Sequence, residues 1–232
     1  MTWSTKRLVV GAILMAWAGL FWFLLASGRT SLFLSSRTAW VVPVGAVILT
    51  MAGIGRLASA RSGAETLGGR DALGLGVIAL PVVVILALPP TSLTSYAAGR
   101  RSSFTGAGFV SSAEDVRAGD LSLADVAGAV RSDEAMEALV SRAGEEVSFT
   151  GFVDRDGAMP ADEFILTRFM VSCCVADALS VQVRVAGAPP GEFDKDQWVR
   201  VVGNMYPLGR EVIVDASEIQ KVDRPERPYL NP

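Results

Sequence analysis

Three long uncharged apolar runs fill the first ninety residues of the chain, at about 8–26, 38–54 and 72–88, while short runs alternating apolar with polar side chains fill the last ninety. The apolar runs are near the lower limit of about 17 residues for crossing a hydrocarbon core of about 30 Å. An uncharged run of that length satisfies its backbone in lipid only as a helix. Residues 1–90 are therefore expected to hold three transmembrane helices. Trp17, Phe21, Trp22 and Phe23 sit toward the end of the first. Gly45, Gly53, Gly74 and Gly76 suit helices that pack closely in a bilayer, and Pro43 and Pro81 predict kinks. Lys6 and Arg7 resemble the start of a secretory leader, yet the apolar run is longer than the usual leader core of about 7–15 residues. Two more spans follow, so a retained anchor is expected.

After Leu88 the chain reads PPTSLTSYAAGRRSSFTGAGF. Pro89 and Pro90 stop the third helix, and residues 91–120 read as an exposed connector rich in small polar residues. A helical segment is expected at 121–144. Ser122 caps SLADVAGAV with Asp125 three residues on, and Ser132 or Asp133 opens a second helix ending at Gly144. From Glu145 the period changes to two. EEVSFTGFVD, EFILTRFMVS, LSVQVRVAG, QWVRVVGNMY and REVIVDASEIQKV are five strand-like runs separated by turn residues. Val181, Val183 and Val185 alternate with Gln182 and Arg184, as in a strand with one wet face. The expected fold is a membrane α-helical N-terminal region followed, at 145–232, by a small mainly-β, OB-like antiparallel barrel.

Charge divides the chain at the same place. Residues 1–101 carry nine Lys/Arg against two acids, and residues 102–232 carry twelve against 22. Such asymmetry argues for two environments. Lys6, Arg7, Arg56, Arg61 and Arg70 flank one side of the spans, and Arg29 and Arg37 the other, before Arg100 and Arg101. This bias places the amino terminus in the cytoplasm and the acidic domain outside. The acidity also speaks against nucleic acid as a partner, since binding a phosphate backbone needs cations. Phe149, Phe152, Phe169, Trp198 and Tyr206 then read as core rather than as a base-stacking platform.

Cys173 and Cys174 are the only cysteines, and there is no histidine. Three readings are open. The thiols are small apolar fillers at a strand end; or, with Asp177, they contribute to a metal site; or they form a redox pair. Adjacent strand residues point to opposite faces, so a metal would need further carboxylates or a partner's ligands. A vicinal disulfide closes a strained ring. Catalysis by a thiol is not expected without a histidine base. Arg168, in an apolar run, either clamps an anion or Asp177, or pairs structurally. GEFDKDQW lacks calcium-loop spacing and reads as a solvated turn. No phosphate loop, catalytic triad or metalloprotease motif is present.

The segments LPPTSL, GFV, F-x-L-x-R-F-x-V-S-C-C-V-A-D-A, W-V-x-V-x-G and the closing I-x-x-V-x-x-P-x-x-P-Y together resemble the YcgQ-type family of bacterial membrane proteins, described as permease subunits. The resemblance covers most of the chain. It implies a multi-pass protein of the cell membrane, a non-catalytic accessory subunit partnering a larger multi-span permease, whose outer domain scaffolds or captures substrate. Its motif residues here are Arg168, Cys173, Cys174, Ala176, Asp177 and Ala178. Relatives often carry histidines in the loops between spans, whereas the corresponding LFLSSRTAW and RLASARSGAETLGGRD have none. Histidine-mediated metal handling is therefore not implied. A membrane-tethered thiol redox or metal-handling protein is the competing reading.

Overall fold

The structure, a computed structural model, describes residues 4–62, 65–88, 92–99, 111–117, 119–130, 132–155, 157, 159–209 and 211–231. Two compact units result, 1–91 and 92–232. Arg100, Arg101 and the Pro89–Pro90 helix stop lie outside the described residues.

The first unit holds three helices, each long and apolar enough to cross a membrane: α1 (Thr5–Ala26), α2 (Val41–Ser59) and α3 (Gly69–Ala87). Glycine brings α1 and α2 together. A methyl group on Gly45 would lie 2.8 Å from the Phe21 ring, and one on Gly53 2.8 Å from Met15 Sδ. Lipid gives no hydrophobic drive for association, so such close van der Waals contact is the main attraction available. The Trp17 indole N–H donates to the Ile78 carbonyl of α3 at 3.0 Å, within the turn preceding Pro81. Pro43 lies in the first turn of α2, where backbone N–H groups have no intrahelical partner, so it imposes no break there. Only Pro81 is interior to its helix.

The second unit is the barrel and its plug. Its strands are β1 (Glu146–Asp154), β2 (Phe164–Met170), β3 (Leu179–Ala186), β4 (Trp198–Leu208) and β5 (Glu211–Lys221), closed in the order β1-β2-β3-β5-β4. The expected OB-like barrel is present, with one correction to its antiparallel description: β3 and β5 pair in parallel, Val185 opposite Val214. An odd number of strands cannot close with every neighbour antiparallel. The inward phase of each strand forms the core: Val147, Phe149 and Val153; Phe164, Leu166 and Met170; Val181, Val183 and Val185; Val199, Val201 and Met205. At the bulge between Val202 and Gly203, β5 crosses so tightly that a Cβ on Gly203 would lie 2.2 Å from the Asp215 carbonyl oxygen. Only glycine fits there.

Helices α4 (Ser95–Ala98), α5 (Ala113–Arg117), α6 (Leu123–Ala129) and α7 (Asp133–Val140) precede the strands. Ser122 and Asp125 form the anticipated capping box of α6, and the Ser132 side chain accepts from Ala135 N–H at the start of α7. α7 ends at Val140, before Gly144; residues 141–144 continue as turns. Val116, Leu123, Val126, Ala135 and Leu139 are buried in the same cluster as the barrel interior. Helices α5, α6 and α7 thus pack against the barrel interior.

Residues 92–99 are not an exposed connector. Leu93, Ala97 and Ala98 pack on the outside of the barrel with Phe152, Phe169, Val171, Ala178, Trp198 and Tyr229. This second apolar cluster is separate from the barrel interior.

Candidate functional site

The vicinal cysteines belong to a capped turn joining β2 to β3. Cys174 is the N-cap of a single 3₁₀ turn, Val175–Asp177; its sulfur accepts from the Asp177 N–H while the Asp177 carboxylate accepts from the Cys174 N–H. Asp177 Oδ1 also accepts from Ser172 N–H at 3.0 Å, and Oδ2 from Cys173 N–H at 2.7 Å. Burial would raise the Asp177 pKa, but the Cys173 thiol and the three N–H donors outweigh it and hold the carboxyl below its ordinary value. The same hydrogen bond to Asp177, with smaller contributions from Cys174, pushes the Cys173 thiol up to about 11.

This geometry changes all three readings of the thiols. Cys173 is exposed and Cys174 half-buried, so they are not a pair of core fillers; neither is disulfide-bonded. Asp177 is committed to ordering the turn. Among the described residues, no group of three or more His, Cys, Asp or Glu side chains is placed to hold a metal ion. Cys173 is a hydrogen-bond donor to a carboxylate, a role that disfavours the thiolate needed for nucleophilic or metal chemistry.

Among the described residues, the hydrogen-bond partners of Arg168 are main-chain carbonyls and not Asp177. It shares the inward phase of β2 with Leu166 and Met170, but its guanidinium ends on main-chain carbonyls: Pro228 at 3.0 Å, Arg227 at 2.9 Å and Thr150 at 3.4 Å. It also lies 5.8 Å from the Trp198 ring centroid. Burial lowers its pKa from the ordinary arginine value. The location explains the role. β1 pairs with β2 only from Phe152 to Asp154, and past that point the C-terminal segment takes β1's place, Leu230 bridging in parallel to Met170. Arg168 fastens the seam where β1 leaves and the carboxyl-terminal segment enters.

The outward aromatic face lies beside this seam. Phe152 stacks on Phe169 with centroids 5.9 Å apart and meets Trp198 edge-on at 5.8 Å. In register, Phe152 stands opposite Trp198 on one side and Thr167 on the other. Phe149 is inside the barrel, and Tyr206 is exposed at its far rim. Residues 92–99 lie over the face, with Leu93 N–H donating to the Tyr229 hydroxyl at 3.2 Å and Ser95 N–H to Asp196 Oδ1 at 2.6 Å. Asp196, within the GEFDKDQW turn, has φ 66.

Arg168, Cys174, Asp177 and Ala178 are thus brought near one edge of the barrel. Asp196, Tyr229 and Leu93 were not anticipated as contacts. The Ser95–Asp196 bond spans 101 positions, and only the aspartate's turn-forming company hinted at a special backbone there.

Residues 131–232, comprising α7 and the barrel, match the family described as the DUF1980 C-terminal domain. This supports a DUF1980-type family, and with the apolar helices it is compatible with a membrane-associated protein. No curated protein matches the chain.

Proposed function

We propose that the chain is a non-catalytic, membrane-anchored accessory subunit of a transport complex, its helices seated against a multi-span permease and its barrel on the extracytoplasmic side. The observation that carries this reading is the surface of α3. Val82 is its one buried residue, while Leu73, Val77, Leu80, Val83 and Leu86 are exposed. Gly74 and Gly76 face open space, unlike Gly45 and Gly53, which are filled by α1 side chains. Small residues on a bare membrane helix let a second helix approach closely. Three spans are few for a pathway within one copy, so a larger partner is the economical complement. Loop cations supply the orientation.

The thiol redox and metal-handling reading draws less support, because Cys173 is held protonated and Asp177 is spent on backbone donors. Affinity purification from detergent-solubilised membranes tests the proposal. A multi-span partner should co-purify, be lost in Gly74→Leu/Gly76→Leu, and survive Cys173→Ser/Cys174→Ser. Repeated recovery of the chain without any multi-span protein counts against it. Protease added outside intact cells should digest the barrel, and complete protection would reverse the proposed topology.

A further inference from the structure

Consecutive N–H groups of an extended strand point to opposite edges. Those of Cys173 and Cys174 instead reach one atom, Asp177 Oδ2, at 2.7 and 3.4 Å. The peptide planes on either side of Cys173 are turned the same way, and the alternation expected of adjacent side chains is broken. The sulfurs follow. The Cys173 thiol donates to the Asp177 carboxylate and lies within hydrogen-bonding reach of the Cys174 sulfur. The Cys174 sulfur accepts from the Asp177 N–H. One aspartate thus meets both thiols, one through its carboxylate and the other through its backbone.

Cys173 is exposed, Cys174 is half-buried, and neither is in a disulfide. A direct S–S bond between neighbours closes a strained ring, whereas a single atom bridging the two sulfurs enlarges that ring and relieves it. The donor count decides which atom. Two sulfurs leave a tetrahedral zinc site two donors short. The chain has no histidine and no other cysteine, and among the described residues no group of three or more Cys, Asp or Glu is placed to supply them. Monovalent copper takes thiolates, the form that the hydrogen bond to Asp177 disfavours. A trivalent arsenical needs neither. It is pyramidal and three-coordinate, takes two sulfurs while keeping its third substituent, and condenses with neutral thiols.

We infer that Cys173 and Cys174 are a two-sulfur capture site for trivalent arsenicals, with Asp177 as the positioning residue that holds both sulfurs together. An R–As(OH)2 acid condenses with the two S–H groups: two As–O bonds break, two As–S bonds form, and each thiol proton leaves on a hydroxyl as water. Arsenic stays trivalent and no oxidant is consumed. The Asp177 carboxylate, which accepts the Cys173 S–H, is placed to pass that proton to the leaving hydroxyl. Exposure of Cys173 leaves the third substituent in solvent, so it is a hydroxyl or an organic group. The site does not depend on the permease reading.

Intact-mass spectrometry of the reduced full chain in detergent tests the site with phenylarsine oxide and with arsenite, each in excess monothiol. The parent should retain one arsenic and release it to 2,3-dimercaptopropanol. Cys173→Ser and Cys174→Ser should each lose the adduct, because a single As–S bond exchanges with the monothiol while a second, intramolecular one resists exchange. Retention of phenylarsenic or of arsenite supports the class and identifies the third substituent it carries; retention of neither overturns it. An adduct that survives in either serine variant overturns the two-sulfur site. A parent chain that takes up no arsenic but loses two hydrogens in air is a disulfide-forming pair, which also overturns the capture site.

Asp177→Asn separates a built site from ordinary thiol reactivity. It removes the charge that gathers the turn, so arsenical retention should fall about tenfold through lost preorganisation, while alkylation of Cys173 by iodoacetamide quickens. Retention that rises in step with alkylation overturns the positioning role of Asp177. Amide exchange in β2 and β3 should match the parent in all three variants, which shows that the barrel is intact.

Discussion

Arg168 Nε donates to the Pro228 carbonyl at 3.0 Å across sixty positions of sequence. This bond joins the middle of β2 to the last turn of the chain, where β1 has already parted from β2. A guanidinium suits the position because its planar fork reaches several carbonyls at once. Arg168→Ala leaves three carbonyls at a half-buried seam without their donor. It should lower barrel stability by about 2 kcal/mol, and Arg168→Lys should recover less than half of that. Thermal unfolding followed by near-ultraviolet circular dichroism measures it. A Lys variant as stable as the parent would show that charge, not fork geometry, matters.

Asp177 favours the protonated thiol of Cys173. The thiol is raised from its ordinary 9.0 to about 11, so Asp177→Asn, which removes the negative charge, should lower it toward 9. Thiolate at neutral pH then rises about a hundredfold, partly offset by the lower nucleophilicity of a less basic sulfur. Iodoacetamide should modify Cys173 about tenfold faster in Asp177→Asn than in the parent, with Cys174→Ser in both backgrounds to isolate the signal.

The same pair dictates opposite pH limits. The Asp177 carboxyl is depressed below 3.8 in the folded chain, so its stabilising contribution is present above that value and fades as pH falls through the depressed one. Cys173 has a raised folded pKa, so its contribution is intact below 9.0 and fades as pH climbs toward about 11. Amide exchange at Ser172–Cys174 should accordingly show protection, corrected for the intrinsic rate, that is flat between pH 5 and 8 and declines at both extremes. Asp177→Asn should abolish the acid limb.

Gly203→Ala places a methyl against backbone, 2.2 Å from the Asp215 carbonyl oxygen and 2.8 Å from Ala216 Cα. These atoms are all backbone of β5, which cannot yield as a flexible side chain can. The substitution should cost about 3 kcal/mol or more, or prevent folding. Gly53→Ala meets the Met15 thioether at 2.8 Å, which can swing aside, and should be mild. Chemical denaturation of both variants in detergent provides the comparison.

Trp17→Phe retains the ring's bulk but deletes the N–H donor to Ile78. A membrane hydrogen bond of this kind contributes about 0.6 kcal/mol. Attachment of α3 to α1 should weaken by that amount, detectable as a small loss of thermal stability of the helical signal.

Local regularities made most of the fold readable. An apolar run of bilayer length has few alternatives to a helix, and period-two alternation commits one face of a strand to a core, which is why all five strands and the Ser122 and Ser132 caps follow from neighbouring residues. Pairings between distant segments carry no such local trace. The parallel β3–β5 contact arises from closing an odd-stranded barrel. Arg168 read as a clamp or a structural pair, and its carbonyl partners sixty positions away left no trace in its own run. The oxygens of Asp177 accept from the backbone of its own motif, an arrangement that spacing alone did not distinguish from the open readings of the cysteines. Residues 92–99 had the composition of a connector, because alanine and serine serve equally well in water or against an aromatic face. Backbone hydrogen bonding and side-chain period act over a few residues and so are written locally. Barrel closure, seam and covered face depend on which remote surfaces exclude water together, and only the folded chain decides that.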